Sequence, residues 1–332
     1  MPTLNTRLLT TFPIQTPIVL APMAAASGAE LALACARAGA LGLIGGGYGD
    51  REWVKVQYEQ AFDVTNADVH QRLGIGFITW RLQADASALD WVLDQDTLPA
   101  AIMLSFGDPT PFAQRILSKR IALICQIQRL EQVPQALDAG ANIIVAQGGE
   151  AGGHGMSALW GRSTITLVPE VADWLATHSP QTPLLAAGGI ADGRGLAAAL
   201  MLGADGVLVG SRLWATQECL APDAAKAESI KATGDDTART SVFDVLRRLP
   251  WPAPFDFRAL RNPLHRQWEQ QVDVLRGNAA QACADYDEGV ATQDYRRAHV
   301  TVGEATGLIM DVPEAQSLVT RMTNQARALL TG

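Results

Sequence analysis

From residue 17 to residue 212 the chain alternates short apolar runs with amphipathic stretches. Eight runs are continuously apolar instead of alternating, the pattern of strands buried on both faces of a parallel sheet. They cover residues 17–23, 40–46, 73–79, 100–106, 120–127, 141–147, 183–190 and 206–212. The stretches between them carry helix punctuation. Ser27 precedes 28–38, which stops at Gly39, and Asp50 precedes 51–62. Asp108 and Pro109 open 109–118, Gly140 closes 130–139, and Pro169 opens 169–178. Polar caps, a first-turn proline and a terminal glycine mark helix ends. Repeated strand–helix units of this length predict an α/β chain folded as a (β/α)8 TIM barrel. A doubly wound open sheet is the alternative, because periodicity alone does not show closure.

Beyond Ser211 the pattern changes and reads as mostly helical. Residues 249–257 are rich in proline and aromatics and read as a loop; 262–277 reads as one amphipathic helix carrying Trp268. A last helix over 313–330 is placed to pack back on the barrel. The expected organisation is a cofactor-binding barrel of residues 1–220 plus 301–332, with a helical cap, the substrate domain, at 221–300.

Composition narrows the function. The 332 residues are 48% hydrophobic and only 18% charged, enough for a large core and too few charges for long disorder. A net charge of −8 makes nucleic acid and anionic membrane poor partners. Cys35, Cys125, Cys219 and Cys283 form no CxxC pair, so reduced thiols and no metal site are expected. Pro13, Pro17 and Pro22 interrupt every apolar segment near the N-terminus, and no membrane-length run follows. A cytoplasmic protein is expected.

In a barrel of this kind the site lies at the C-terminal strand ends. The seventh and eighth runs end in Gly188-Gly189 and Gly210-Ser211, where loops of this fold commonly bind phosphate. Their N–H groups and the helix following Asp192 would face an anion. The first run ends Ala21-Pro22-Met23, a small floor for a planar ring, and Gln126 and Gln147 offer amides for ring heteroatoms. For each glutamine alone, a polar cap on a buried strand end is nearly as good a reading. One phosphate and one planar ring, with no GxGxxG after a strand, point to flavin mononucleotide (FMN). After the sixth run comes Gly148-Gly149-Glu150-Ala151-Gly152-Gly153-His154, a glycine turn followed by an imidazole that can act as a base near neutral pH. His70, His178, His265 and His299 have no clustered partners and read as surface residues. Asp192 and Arg194 read as serving the turn and helix start.

Several of these stretches together resemble the nitronate monooxygenase family, formerly the 2-nitropropane dioxygenases. They are residues 146–155, residues 186–204 with Gly210-Ser211-Arg212, and the first strand at 18–24. The resemblance covers about 14–216 and extends weakly to 303–309. It implies an FMN-dependent barrel with a helical cap that oxidises alkyl nitronates with O2 to a carbonyl compound and nitrite. It places Ala21, Pro22, Met23, Gln126, Gln147, Gly188, Gly189, Gly210 and Ser211 at the flavin and His154 as catalytic base. Gln126 stands where some relatives carry lysine, and Ser211 where threonine is commoner. The implied partners are a small-molecule nitronate and O2, with a homodimer among the assemblies allowed. Enoyl-acyl-carrier-protein and quinone reductases that use NAD(P)H on the same barrel are the enzymatic alternative. A barrel binding phosphate ligands without redox chemistry and a non-catalytic binding module are the others.

Overall fold

The computed structural model describes residues 4–63 and 67–331. In chain order its strands are β1 (Ile18–Leu20), β2 (Gly42–Gly47), β3 (Leu73–Ile78), β4 (Ala101–Ser105), β5 (Ala122–Ile127), β6 (Ile143–Gln147), β7 (Gly153–Met156), β8 (Leu184–Ala187), β9 (Gly206–Val209), β10 (Thr237–Thr240) and β11 (Phe255–Leu260). Eight of them pair in parallel in the order β1-β9-β8-β6-β5-β4-β3-β2. A bridge between Val19 and Leu41 joins the two ends of the sheet: Leu20 N–H donates to the Leu41 carbonyl at 2.9 Å, and Leu41 N–H to that of Ile18 at 3.1 Å. The sheet is a barrel, and the open-sheet alternative falls.

Successive strand side chains point to opposite faces. Val19, Leu43, Met103, Ile124, Val145, Leu185 and Leu208 fill the barrel interior together with Leu8 and Phe12 from the N-terminal segment. Their neighbours Ile18, Leu20, Ile44, Ile75, Ile102, Ile144 and Val207 pack outward under the helices. Two apolar faces per strand are why the eight runs show no alternation.

Some helix boundaries differ from expectation. The helix after β1 is Ala29–Arg37, and Ser27 does not cap it; the Ser27 hydroxyl accepts from Met23 N–H at 2.7 Å and so holds the strand end. The helix predicted to open at Pro169 is Thr164–His178, with the proline inside it. Its first N–H, from Thr164, donates to the Glu150 carboxylate at 2.9 Å, an acceptor from another loop that no local signal announces. Asp50 and Asp192 do cap their helices, the latter accepting from Arg194 and Gly195 N–H.

The C-terminal helix Ala315–Thr331 lies against Ala29–Arg37 and Gly193–Met201. At Gly193 a Cβ would meet the Met322 carbonyl at 2.5 Å, so the two backbones approach as only glycine permits. Arg212, 2% exposed, ties β9 to the segment before this helix through Asp311 at 2.6 Å.

After residue 214 helices predominate as expected, but two strands outside that expectation join them. β10 and β11 pair antiparallel, and β11 pairs with β7, placing His154 opposite Phe257. The expected loop at 249–257 therefore ends inside a strand, and the single helix expected over 262–277 is two, Pro263–Trp268 and Val272–Gly277. Among the described residues no helix is long and apolar enough to cross a membrane. All four cysteines are free and buried.

Candidate active site

A cavity of about 420 Å³ opens at the C-terminal ends of the barrel strands. Ala21, Pro22, Met23, Gln126, Gln147, His154, Gly188, Gly189, Gly210 and Ser211 all line it. Their chemistry is uneven. The Gln126 Nε2 is buried without a partner. The Gln147 amide is already engaged: its Oε1 accepts from Gln128 Nε2 and its Nε2 donates to the His154 carbonyl, each at 3.0 Å. Gln147 thus ties β6 to β7.

Gly188 and Gly189 have φ of 103° and 75°, a region L side chains rarely enter. Among the described residues, the backbone N–H groups of Gly188, Gly189, Gly210 and Ser211 donate to no protein acceptor. The Ser211 hydroxyl accepts from Gly303 N–H at 2.8 Å and keeps its own proton to donate. The helix Gly193–Met201 is a correction. Gly193 N–H goes to Gln325, and those of Arg194 and Gly195 go to Asp192. Its first turn is spent on protein acceptors, which leaves the donors of the two loops for an anion.

The glycine loop between β6 and β7 is held from outside. Arg239 on β10, 7% exposed, donates to the carbonyls of Gly149, Ala151, Gly153 and Asp256 at 3.3, 2.6, 3.1 and 2.7 Å. Arg258 on β11 adds a bond to Gly149 at 3.1 Å and pairs with Glu304 at 2.8 Å. Burial pushes the Arg239 guanidinium down to about 9, which still leaves it charged at neutral pH. These arginines escaped sequence reading. The one local signal was the alternation Phe255-Asp-Phe-Arg-Ala-Leu260, a strand pattern partly hidden in the proline-rich stretch.

His154 is 9% exposed on β7. Its Nε2 lies 2.7 Å from Asp244 Oδ1. One ring face stacks on Trp251, with centroids 3.4 Å apart and planes 12° apart, and Phe257 tilts against it at 4.7 Å. Trp251 Nε1 donates to Tyr48 Oη at 2.9 Å, and Phe106 meets Trp251 edge-on at 5.2 Å. Phe106 itself sits at φ 65°, an unusual region for an aromatic residue. Burial, then the charges of Arg247 and Arg239, holds the imidazole far below its usual range, at about 2. Burial pushes the Asp244 carboxyl up to about 7. In an exposed ion pair the two shifts would run the other way; here loss of solvation dominates both partners, and the pair titrates as a unit.

Two histidines read as surface residues are not. His265 is 1% exposed, with Nε2 at 2.9 Å from Thr240 Oγ1. His299 lines the cavity, its Nδ1 at 2.6 Å from Tyr286 Oη. His70 is half-buried against Phe62, and only His178 is exposed. Arg247 also lines the cavity, lies 4.9 Å over the Phe257 ring, and has a buried Nη1 with no partner.

A family model described as "Nitronate monooxygenase" matches residues 50–325. The chain is 33% identical over 341 residues to nitronate monooxygenase npaC of Metarhizium robertsii, covering 95% of this chain and 92% of that one. Among solved structures, FabK from Thermotoga maritima superposes with a TM-score of 0.82 at 26% identity, covering 98% of this chain and 97% of its own. Nitroalkane oxidase from Streptomyces ansochromogenes superposes with a TM-score of 0.76 at 23% identity, covering 98% and 100%, a likeness of fold.

Proposed function

Because the chain belongs to the nitronate monooxygenase family, and the family implies a flavin oxidoreductase, we propose that it binds FMN and oxidises alkyl nitronates with O2, releasing a carbonyl compound and nitrite. The observation that carries this reading is the placement of His154. With Nε2 taken by Asp244, Nδ1 is the ring nitrogen left for the cavity. The imidazole is neutral at working pH and sits in the cavity wall, the state from which removal of an α-proton from a nitroalkane starts.

The residues present suit a flavin with a single phosphate. Two loops offer free N–H donors and the Ser211 hydroxyl for the phosphate. The buried Nε2 of Gln126 lacks an acceptor, which a ring heteroatom would provide. Ala21, Pro22 and Met23 form an uncharged floor. When bound, the flavin supplies the redox chemistry, taking electrons from the substrate and passing them to O2. The protein's part is to bind, orient and move the proton. Arg247, with an unsatisfied nitrogen, is the cation available to the nitronate oxygens. We place substrate selection in the segment 221–300, supported by Arg247, Trp251, Phe257, Val290, Tyr295 and His299, which it contributes to the cavity wall.

The deciding experiment mixes the flavin-loaded protein with ethyl nitronate without oxygen. Bleaching of the flavin absorbance, slow or absent bleaching with NADH or NADPH, and nitrite release in air are expected. Rapid bleaching by NADH and none by nitronate would reassign the protein to the reductase branch of the same fold.

A further inference from the structure

A hydrogen bond joins two residues that line different cavities. His154 lines the first cavity. Asp244 lines a second of about 500 Å³, bounded also by Ser157, Ser241, Asp256 and Arg276. Trp251 lines both. Asp244 sits on the helix Val242–Leu246, so the 2.7 Å contact between Nε2 and Oδ1 joins β7 to this helix. No Lys or Arg lies within ion-pair distance of Asp244 among the described residues, and its Oδ2 is buried without a partner. A carboxylate so placed has His154 as its one partner.

We propose that Asp244 is the positioning residue for His154: its carboxylate holds the proton on Nε2, leaving Nδ1 as the base, and stabilises the imidazolium that forms. This rests on the reading of His154 as a base. In the step, the substrate's α-carbon–hydrogen bond breaks and an Nδ1–H bond forms. The electron pair moves into the nitro group, giving the nitronate, and nothing is oxidised. The new cation lies against the carboxylate and shares its Nε2 proton along the existing bond. Trp251, stacked on the ring, prevents the imidazole from turning to offer Nε2 instead. The charged and titratable groups facing the pair are Arg247 beside the helix, Arg239 on β10, Asp256 on β11, Arg276, Tyr48 and His299. With the carboxyl raised to about 7, the base-competent form accumulates as pH rises through that value.

The test compares Asp244→Asn and His154→Asn on a neutral nitroalkane and on its pre-ionised nitronate. For Asp244→Asn a loss of about 10² to 10⁴-fold in kcat on the nitroalkane is expected, with the rise near neutral pH abolished. The nitronate rate should change by less than about 5-fold, since its proton is already gone. Asp244→Glu should recover part of the loss. Formate, small enough to enter through the second cavity, should partly rescue Asp244→Ala. Independently of turnover, ¹⁵N spectra of the wild-type protein at about pH 8 should show His154 with Nε2 protonated and Nδ1 bare. A proton on Nδ1 there, or equal losses on both substrates with no formate rescue, overturns the proposal. If His154→Asn itself loses both activities equally, the base reading fails; if it is selective and Asp244→Asn is not, only the dyad fails.

Discussion

Arg239→Met tests whether the glycine loop is held as its hydrogen bonds indicate. The guanidinium serves four carbonyls, of which Gly149 keeps a second donor in Arg258. Methionine has a similar apolar stem and leaves three part-buried acceptors, on Ala151, Gly153 and Asp256, without this donor. An orphaned polar group costs about 1–3 kcal/mol when buried, and part-buried groups fall at the lower end. Against this stands relief from burying a charge with no carboxylate in contact, the same burial that lowers its pKa. Taking the lower end for each carbonyl gives a loss of about 3 kcal/mol. At about 2 °C per kcal/mol for a chain of this size, the melting temperature should fall by about 6 °C. Residues 150–153 of this loop line the cavity, so the variant should also bind FMN at least about 10-fold more weakly, equivalent to about 1.4 kcal/mol. Arg239→Lys should be intermediate, because an ammonium keeps the charge but cannot span four carbonyls. Thermal melts with and without FMN, and FMN titration by fluorescence, provide the measurements. An Arg239→Met protein melting at or above the wild-type temperature would show that desolvation cancels the four bonds, and the account of the loop would be wrong.

At Gly210 an added Cβ would find its nearest neighbours at 3.7 and 3.9 Å, so Gly210→Ala should keep FMN while Gly210→Asp, which brings a carboxylate to the anion donors, should lose it; equal retention in a filtration assay would remove the phosphate from this loop. Burial holds His265 down to about 4 and His299 down to about 3. The unfolded chain takes up these protons near 6.5 and the folded chain does not, so stability is full above about 6.5 and is lost as pH falls towards 4. Over the same window the raised Asp244 offsets the lowered His154, so that pair adds no slope. The urea midpoint should drop between about pH 7.5 and 4.5, and the paired variants His265→Gln and His299→Gln should flatten the drop; a wild-type midpoint that does not move would refute it.

The barrel was legible in the amino-acid order because each strand is buried on both faces. That burial forces a continuous apolar run, and a glycine or small polar residue follows where the strand must turn at the cavity. Ala21 to Met23, Gly188, Gly189, Gly210 and Ser211 could be named for this reason, since their positions follow from strand ends, and His154 from the glycine turn after β6. What surrounds His154 could not. Asp244 lies 90 residues away, and β7 becomes a strand only because β11 pairs with it from about 100 residues downstream. Taken alone, Gly153-His-Gly-Met156 reads as a turn, since two glycines of four residues have little strand preference. Arg239, Trp251 and His299 are likewise assigned by contacts across the chain, and burial, which no local periodicity reports for a single polar residue, turned two predicted surface histidines inward. Local order determined the scaffold and where its mouth lies, whereas the partners of His154 were decided by tertiary pairing, because hydrogen bonds and desolvation depend on distance in space and not along the chain.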